Sequence, residues 1–390
     1  MTNKIVYLDN AATTQVDEKV LRAMLPFFNE KYGNASSLHQ RGQEAKMALE
    51  ESREIIAKSI NAKVEEIIFT SGGTESNNLA IKGLAFAYPE KKHIIISKIE
   101  HDCVLNACKW LEKQGYKITY LNVDNEGFID LRELENAITK ETLLVSIIHG
   151  NNEIGTIQNL EVIGKICRSK NVSFHSDACQ SYTKTEIDVK KHNIDLLTLN
   201  AHKIHGPKGV GVLYVREEIK IIPLAHGGGH ERNLRSGTSN ISGIVGFAQA
   251  VKIAEKKDIE KITKLRDQLI EGFKKIPGSR LNGPEGNKRL CNNINFSFEN
   301  VEGEAIGSYL DVKGICSSTG SACSSHSLEP SHVLIAIGLK PEQAHGSLRL
   351  SLSKYNTEEE IEIVLKELPK IIEKLRKISP FEKIIKKLLK

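Results

Sequence analysis

Between residues 65 and 215 the chain repeats one pattern: a short β-branched apolar run, then a stretch with helical spacing. Ile67–Thr70, His93–Ser97, 117–123, 143–149, 172–175, 196–199 and Gly211–Val215 read as strands. Segments such as 130–139 and 160–170 read as helices between them. Strands that are apolar on both faces, separated by helices, require a mostly parallel sheet covered on both sides. The fold class is therefore α/β. In such sheets ligands bind beyond the carboxyl ends of the strands. Residues that carry chemistry should lie just after each apolar run.

The 390 residues exceed what one core usually holds, so two lobes are expected. A long helix with a break covers about 244–276, and the character then changes. Segments 292–299 (NNINFSFE) and 345–352 (HGSLRLSL) alternate as half-buried strands do. Residues 357–368 form an amphipathic helix with Thr357 as N-cap and acidic residues in the first turn. Pro369 is expected to end or kink it, with helical character resuming through Arg376. The expected division is a large α/β domain over 17–255 and a smaller α+β C-terminal lobe formed by 1–16 and 256–390.

Charge and cysteine usage exclude several classes. A net charge of +5 without a basic stripe gives no case for nucleic acid. No run of about 18 apolar residues exists to span a membrane. Structured sequence from Ile5 leaves no room for a leader, so a cytoplasmic protein is expected. The basic end, KIIKKLLK, reads as a solvated last helical turn. Seven cysteines without a CxxC pair argue against a zinc ribbon and for free thiols.

The strand ends carry a distinctive set of groups. Lys203, in LLTLNAHKIHGPKG, follows the strand at 196–199. Burial there disfavours an ammonium and frees the amine to form a Schiff base with an aldehyde cofactor. Asp177, just past the strand at 172–175, needs a cationic partner if buried, and a protonated pyridine nitrogen would serve. Lys203 lies one strand–helix–strand unit further on, so one ring can touch both. Ser71-Gly72-Gly73-Thr74 links a strand to a helix and offers amides to a phosphate. Its spacing fits neither a dinucleotide fingerprint nor a Walker loop. His101 can stack on an aromatic ring and shuttle protons. Asn152 offers an amide to a phenolic oxygen or a carboxylate. Taken singly, each is equally an ordinary turn or capping residue.

Taken in order, the segments SGGTESNN, EHDCVL, NNEIG, DACQS, HKIHGPKG, HGGGHERNLRSGT and SSTGSACSSHSLEPSHVL resemble the cysteine desulfurases of the NifS/IscS type. These are pyridoxal-phosphate enzymes of fold type I in the class V aminotransferase group. The resemblance runs from YLDNAATT to LRLSLSKYNT, nearly the whole chain.

The resemblance implies a role for each residue. Lys203 carries pyridoxal 5'-phosphate. Asp177 pairs with the pyridine nitrogen, and His101 stacks on the ring and relays protons. Gln180 and Asn152 serve the phenolic oxygen. Gly73, Thr74 and His202 bind the phosphate, with Thr238 reaching in from the second subunit of a homodimer. Arg349 grips the substrate carboxylate, helped by Asn34. Cys323 takes the sulfur of L-cysteine as a persulfide, leaves L-alanine, and passes sulfur to an iron–sulfur scaffold or carrier protein, or to tRNA thiolation enzymes. Its segment of small polar residues is expected to be a mobile loop, and His326 three residues on is placed to lower the thiol pKa. Cys323 is also the one candidate metal ligand, for a transient iron–sulfur cluster.

Two positions depart from the family pattern. Asn200 stands where a serine is usual and remains a candidate phosphate donor. Ala35 replaces a proline, which loosens that loop. Cys103 and Cys316 are extra thiols near the expected site. A selenocysteine lyase and a non-catalytic sulfur-scaffold relative are the alternatives. Intact Lys203, Asp177 and His101 weigh against the second.

Overall fold

A computed structural model describes residues 5–319 and 329–378. Cys323, His326 and the basic end lie outside the described residues.

The central sheet has seven strands: β2 (Ile67–Thr70), β3 (His93–Ser97), β4 (Lys117–Leu121), β5 (Thr142–Ser146), β6 (Ser173–Asp177), β7 (Leu196–Asn200) and β8 (Gly211–Val215). The short β1 (Val6–Tyr7) precedes them in the chain. Their spatial order is β2-β8-β7-β6-β5-β3-β4. Only β8 runs against the others, since it pairs antiparallel with both β2 and β7. Six strands therefore end on one edge of the sheet.

Period-two alternation divides the strand residues between the two faces of the sheet. Ile67, Phe69, Val145, Phe174, Leu197 and Val212 face one layer, whose helices include Gln40–Ser59 and Ile241–Lys252. Ile68, Ile94, Leu144, Leu196 and Leu213 face the other, formed by the helices Gly73–Ala87 and Asp102–Glu112. Both faces are thus dry, which is why these strands read as continuous apolar runs.

A second apolar core holds β9 (Ser279–Leu281), β10 (Asn293–Phe298), β11 (Ile315–Cys316), β12 (Ser347–Ser351) and two long helices. β12, β10 and β9 form an antiparallel sheet. Val6 and Leu8 pack in this core, and β1 pairs with β11. The expected helix over 244–276 is two helices, Ile241–Lys252 and Lys256–Phe273, separated at 253–255.

One expectation needs correction. β10 and β12 are buried along their whole length, not half-buried. Ile294, Phe296 and Phe298 fill the second core, while the alternate face of β10 is polar but covered. There Asn293 and Asn295 donate to the Glu153 carbonyl at 3.0 and 3.1 Å. The polar stripe meets other backbone and the buried side chains of Asn282 and Arg289. The last helix runs Glu358–Ile378 with Pro369 inside it, so the proline does not end it. Leu368, Ile371, Ile372 and Leu375 around that proline are all buried in the second core, and their packing offsets the lost backbone bond. Thr357 caps the helix as expected: its hydroxyl accepts from the Glu360 N–H at 3.3 Å. No helix among the described residues is long and apolar enough to cross a membrane.

Candidate active site

The carboxyl edge of the sheet gathers the predicted residues because their strands are neighbours. Asp177 is the last residue of β6, one position inside the strand rather than past it, and faces Thr198 of β7. Asn200 ends β7 and pairs with Gly211 of β8, whose other neighbour is Thr70 at the end of β2. A Cβ on Gly211 would lie 2.7 Å from the Gly72 Cα. That close approach presses the Ser71–Thr74 turn against the β7 end, beside Ala201, His202 and Lys203.

The phosphate turn opens the helix Gly73–Ala87, which starts two residues earlier than its acidic first turn suggests. The N–H groups of Gly73 and Thr74 have no acceptor among the described residues. Free first-turn amides at a helix N-terminus suit an anion. Gly73 admits no side chain, since a Cβ there would sit 2.7 Å from Cys179 Sγ and 3.6 Å from Asn200 Nδ2. Asn200 is buried with its Oδ1 unpartnered, and its amide nitrogen lies 3.4 Å from His202 Nε2. Burial, then Lys203 and Lys208, bring the His202 pKa down to about 4, so this ring is neutral.

Asp177 is 5% exposed and has no cationic side chain in contact. Its carboxylate accepts from Asn77 Nδ2 at 2.6 Å and from the Cys179 N–H at 2.9 Å. The Lys203 ammonium likewise has no hydrogen-bond or ion-pair partner among the described residues. A buried anion and a free amine thus share one strand edge. His101 caps the helix Asp102–Glu112 through Nδ1. Burial, then Lys203, hold its pKa below the ordinary value.

The N-terminal segment crosses this edge. Gln180 Nε2 donates to the Ala11 carbonyl at 2.9 Å, and Thr13 Oγ1 lies 3.2 Å from His202 Nδ1. Arg349, on β12, is 3% exposed. Its Nη2 reaches Asp9 Oδ1 at 3.0 Å and its Nη1 the Asn152 carbonyl at 3.2 Å, while Nε is unpartnered. Asn152 thus meets Arg349 through its backbone carbonyl. Asn34 is exposed and accepts from its own loop at Ser36, with no contact to Arg349. Thr238 is exposed too.

A family model described as aminotransferase class-V matches residues 6–364. A Dictyoglomus turgidum protein named cysteine desulfurase IscS is 54% identical over 382 residues, 97% of each chain. The chain belongs to the class-V aminotransferases, as a cysteine desulfurase of the NifS/IscS type. A solved NifS-like protein superposes on this cysteine desulfurase fold with a TM-score of 0.90 at 41% identity, covering 95% of this chain and all of the other. A structure titled SspA in complex with cysteine gives 0.82, also at 41% identity, covering 90% of this chain and 100% of that one.

The cofactor of these desulfurases, pyridoxal phosphate, fits the residues present. A protonated ring nitrogen would supply the cation that buried Asp177 lacks. The phosphate would supply the acceptor that the Gly73 and Thr74 amides lack. Among the described residues, no group of three or more His, Cys, Asp or Glu side chains is placed to hold a metal ion.

Sequence reasoning missed Asn77, Cys179, Glu100 and Glu153. Asn77 carried a legible signal: it lies three and four residues before Ala80 and Ile81, on the buried stripe of its helix. Glu100 is fully buried and held by Ser97 and the Ile148 N–H. Burial raises its pKa to about 8. Glu153 binds Ser331 at 2.5 Å, and burial raises its pKa to about 7. Nothing in their sequence context distinguishes them from surface carboxylates.

Proposed function

We propose that this chain takes sulfur from L-cysteine, leaves L-alanine, and carries the sulfur as a persulfide on Cys323 to an iron–sulfur scaffold, a sulfur carrier or a tRNA-thiolation enzyme. The observation that carries this reading is that Asp177, at the end of β6, and Lys203, just past the end of β7, have no ion-pair partner among the described residues. When bound, pyridoxal phosphate supplies an aldehyde carbon for an amine and an electron-poor ring that accepts the electrons of a broken bond.

The chain's own residues do the rest. Lys203 tethers the aldehyde end. Asp177 holds the ring nitrogen in its protonated form. The Gly73 and Thr74 amides hold the phosphate, with His202 and Asn200 beside them. Gln180, whose amide retains one hydrogen beyond that given to Ala11, serves the phenolic oxygen with Asn152. His101 moves protons beside the ring, since a neutral imidazole can both give and take one. Arg349 orients the substrate carboxylate through its planar fork, with Asn34 assigned to the same carboxylate. The Cys323 thiolate attacks the substrate sulfur and the carbon–sulfur bond breaks. The carbon fragment keeps the electron pair, gains protons and leaves as alanine.

The other cysteines support Cys323 as the nucleophile by contrast. Burial raises the pKa of Cys103, Cys108, Cys167, Cys179, Cys291 and Cys316. A thiol so placed is not the reactive species. Residues 17–255 form the cofactor-binding domain, and 1–16 with 256–390 the domain that bears Cys323. The protein acts in the cytoplasm as a homodimer in which Thr238 of one subunit completes the phosphate site of the other. Its exposure in the single chain supports this.

The test is release of sulfide and alanine from L-cysteine under reducing conditions, with the visible absorbance of the bound cofactor. Wild type turns over, Cys323→Ser does not, and Lys203→Ala loses the Schiff-base band. Alanine formed at full rate by Cys323→Ser would end the persulfide reading.

A further inference from the structure

A directed chain of hydrogen bonds links Asp177 to His101 through two side chains that the mechanism above does not use. Asn77 Nδ2 gives one hydrogen to Asp177 Oδ2 at 2.6 Å and lies 3.0 Å from Cys103 Sγ. Cys103 Sγ lies 3.0 Å from His101 Nδ1. The Cys103 backbone N–H donates to the same ring nitrogen at 3.2 Å.

The donor inventory fixes the direction of every bond. An amide nitrogen carries two hydrogens and accepts none. Asn77 therefore spends one hydrogen on Asp177 and the other on the sulfur. The thiol, accepting from Asn77, has its single hydrogen left for His101 Nδ1. Burial, then Asp177, push the Cys103 thiol up to about 12, so that hydrogen is present at neutral pH. His101 Nδ1 thus faces two donors and cannot itself hold a hydrogen. In the neutral ring the proton must sit on Nε2.

We propose that Cys103 is a positioning residue that, with Asn77, fixes His101 in the tautomer protonated on Nε2 and ties it to Asp177. The proposal rests on the reading above, in which His101 and Asp177 both serve the cofactor ring. It gives Cys103 a role other than sulfur transfer: its sulfur is engaged on two sides. A histidine that moves protons must present the same nitrogen in every turnover, and a free imidazole exchanges tautomers.

Several charged or titratable groups face His101. Lys203 and His332 disfavour its protonation, and Asp177 and Asp102 favour it, on top of the dominant effect of burial. The thiol adds a donor that stabilises the unprotonated Nδ1. Its removal should therefore raise the His101 pKa.

The experiment uses full-length, cofactor-loaded protein with ¹⁵N-labelled histidine, the His101 signals being assigned by their loss in His101→Gln. Wild type should show a hydrogen on Nε2 and none on Nδ1. Cys103→Ala should move protonation of Nδ1 up by roughly half to one pH unit, the worth of one hydrogen bond. Cys103→Ser, which keeps both a donor and an acceptor, should restore the wild-type titration. Alanine and serine are smaller than cysteine, so both variants should fold, and thermal unfolding checks this. A hydrogen on Nδ1 in wild type, or an unchanged titration in Cys103→Ala, overturns the proposal. Alanine release by His101→Gln is measured separately. A full rate there would remove His101 from the reaction without altering the tautomer result.

Discussion

Breaking the Arg53–Glu231 pair should cost more than any exposed ion pair in this molecule, and for a reason tied to the site. The two side chains meet through two bonds of 2.7 and 3.0 Å, with about 5% of each exposed. Glu231 also accepts from the Phe69 N–H at 2.8 Å, next to the end of β2. Glu231, Arg232 and Asn233 are three successive non-glycine residues in left-handed conformation, with φ of 43°, 56° and 64°. Each such residue costs about 1 kcal/mol or more, so the turn needs an anchor. That turn leads to Arg235, which binds Glu75 in the first turn of the helix Gly73–Ala87 at 2.9 Å. Glu231→Ala removes the buried counter-ion of Arg53 and leaves it the part-exposed Glu50 at 3.1 Å and the Ile67 carbonyl at 2.8 Å, so the loss should fall at the low end of the range for a broken buried pair, about 3 kcal/mol. Arg53→Met should cost a similar amount by stranding Glu231. In the double variant neither charge is stranded, so it should be at least about 2 kcal/mol more stable than the two single losses added together. Urea unfolding followed by Trp110, the one tryptophan, reads the lobe concerned. A coupling near zero would refute the anchor. Additive losses with unchanged cofactor affinity would also refute the link from this pair to the phosphate turn.

Two further outcomes follow from the same geometry. Gly73→Ala should weaken cofactor binding and cost about 1–3 kcal/mol of stability, because its Cβ meets Cys179 Sγ at 2.7 Å; Gly73→Ala with Cys179→Ala should recover most of both, read by cofactor titration and thermal unfolding. Lys184 donates to the Gln180 and Lys203 carbonyls, and burial lowers its pKa to about 8. The unfolded chain then binds more protons between pH 8 and about 10.4, so this group makes stability rise across that window, by up to about 3 kcal/mol. Below pH 8 its full penalty remains. Urea unfolding of wild type minus Lys184→Met across that window should show the rise, and a flat difference would remove the assignment.

What the sequence disclosed depended on whether a residue's chemistry shows in its local pattern. The seven strands were legible because both sheet faces are dry, so Ile94 to Ile96 or Leu196 to Leu199 read as unbroken apolar runs. The strand ends were legible too, and with them Asp177 and Lys203. β10 misled because Asn293, Asn295 and Ser297 look like a solvated face. Asn293 and Asn295 donate to the Glu153 carbonyl, and Ser297 accepts from Asn282 Nδ2; local spacing carries no record of these partners. Pro369 does not end its helix for a related reason: the preference it breaks is local, whereas the packing that holds the helix together comes from the second core.

The same distinction explains why Cys103 was seen only as an extra thiol. Its neighbours in sequence, Asp102 and Val104, say nothing of Asn77, which arrives from the preceding helix, or of Asp177, which arrives from β6. Helices Gly73–Ala87 and Asp102–Glu112 pack side by side on one face of the sheet, and both begin at its carboxyl edge. Their N-terminal ends then meet above the strand ends, where the fully buried Asn77 amide must find polar partners. Asn77, in the second turn of one helix, and Cys103, in the first turn of the other, are the pair that this packing brings together. A thiol at position 103 therefore acquires its partners from the layer architecture itself. Cysteine or serine there can donate to His101 while accepting from Asn77, and alanine can do neither.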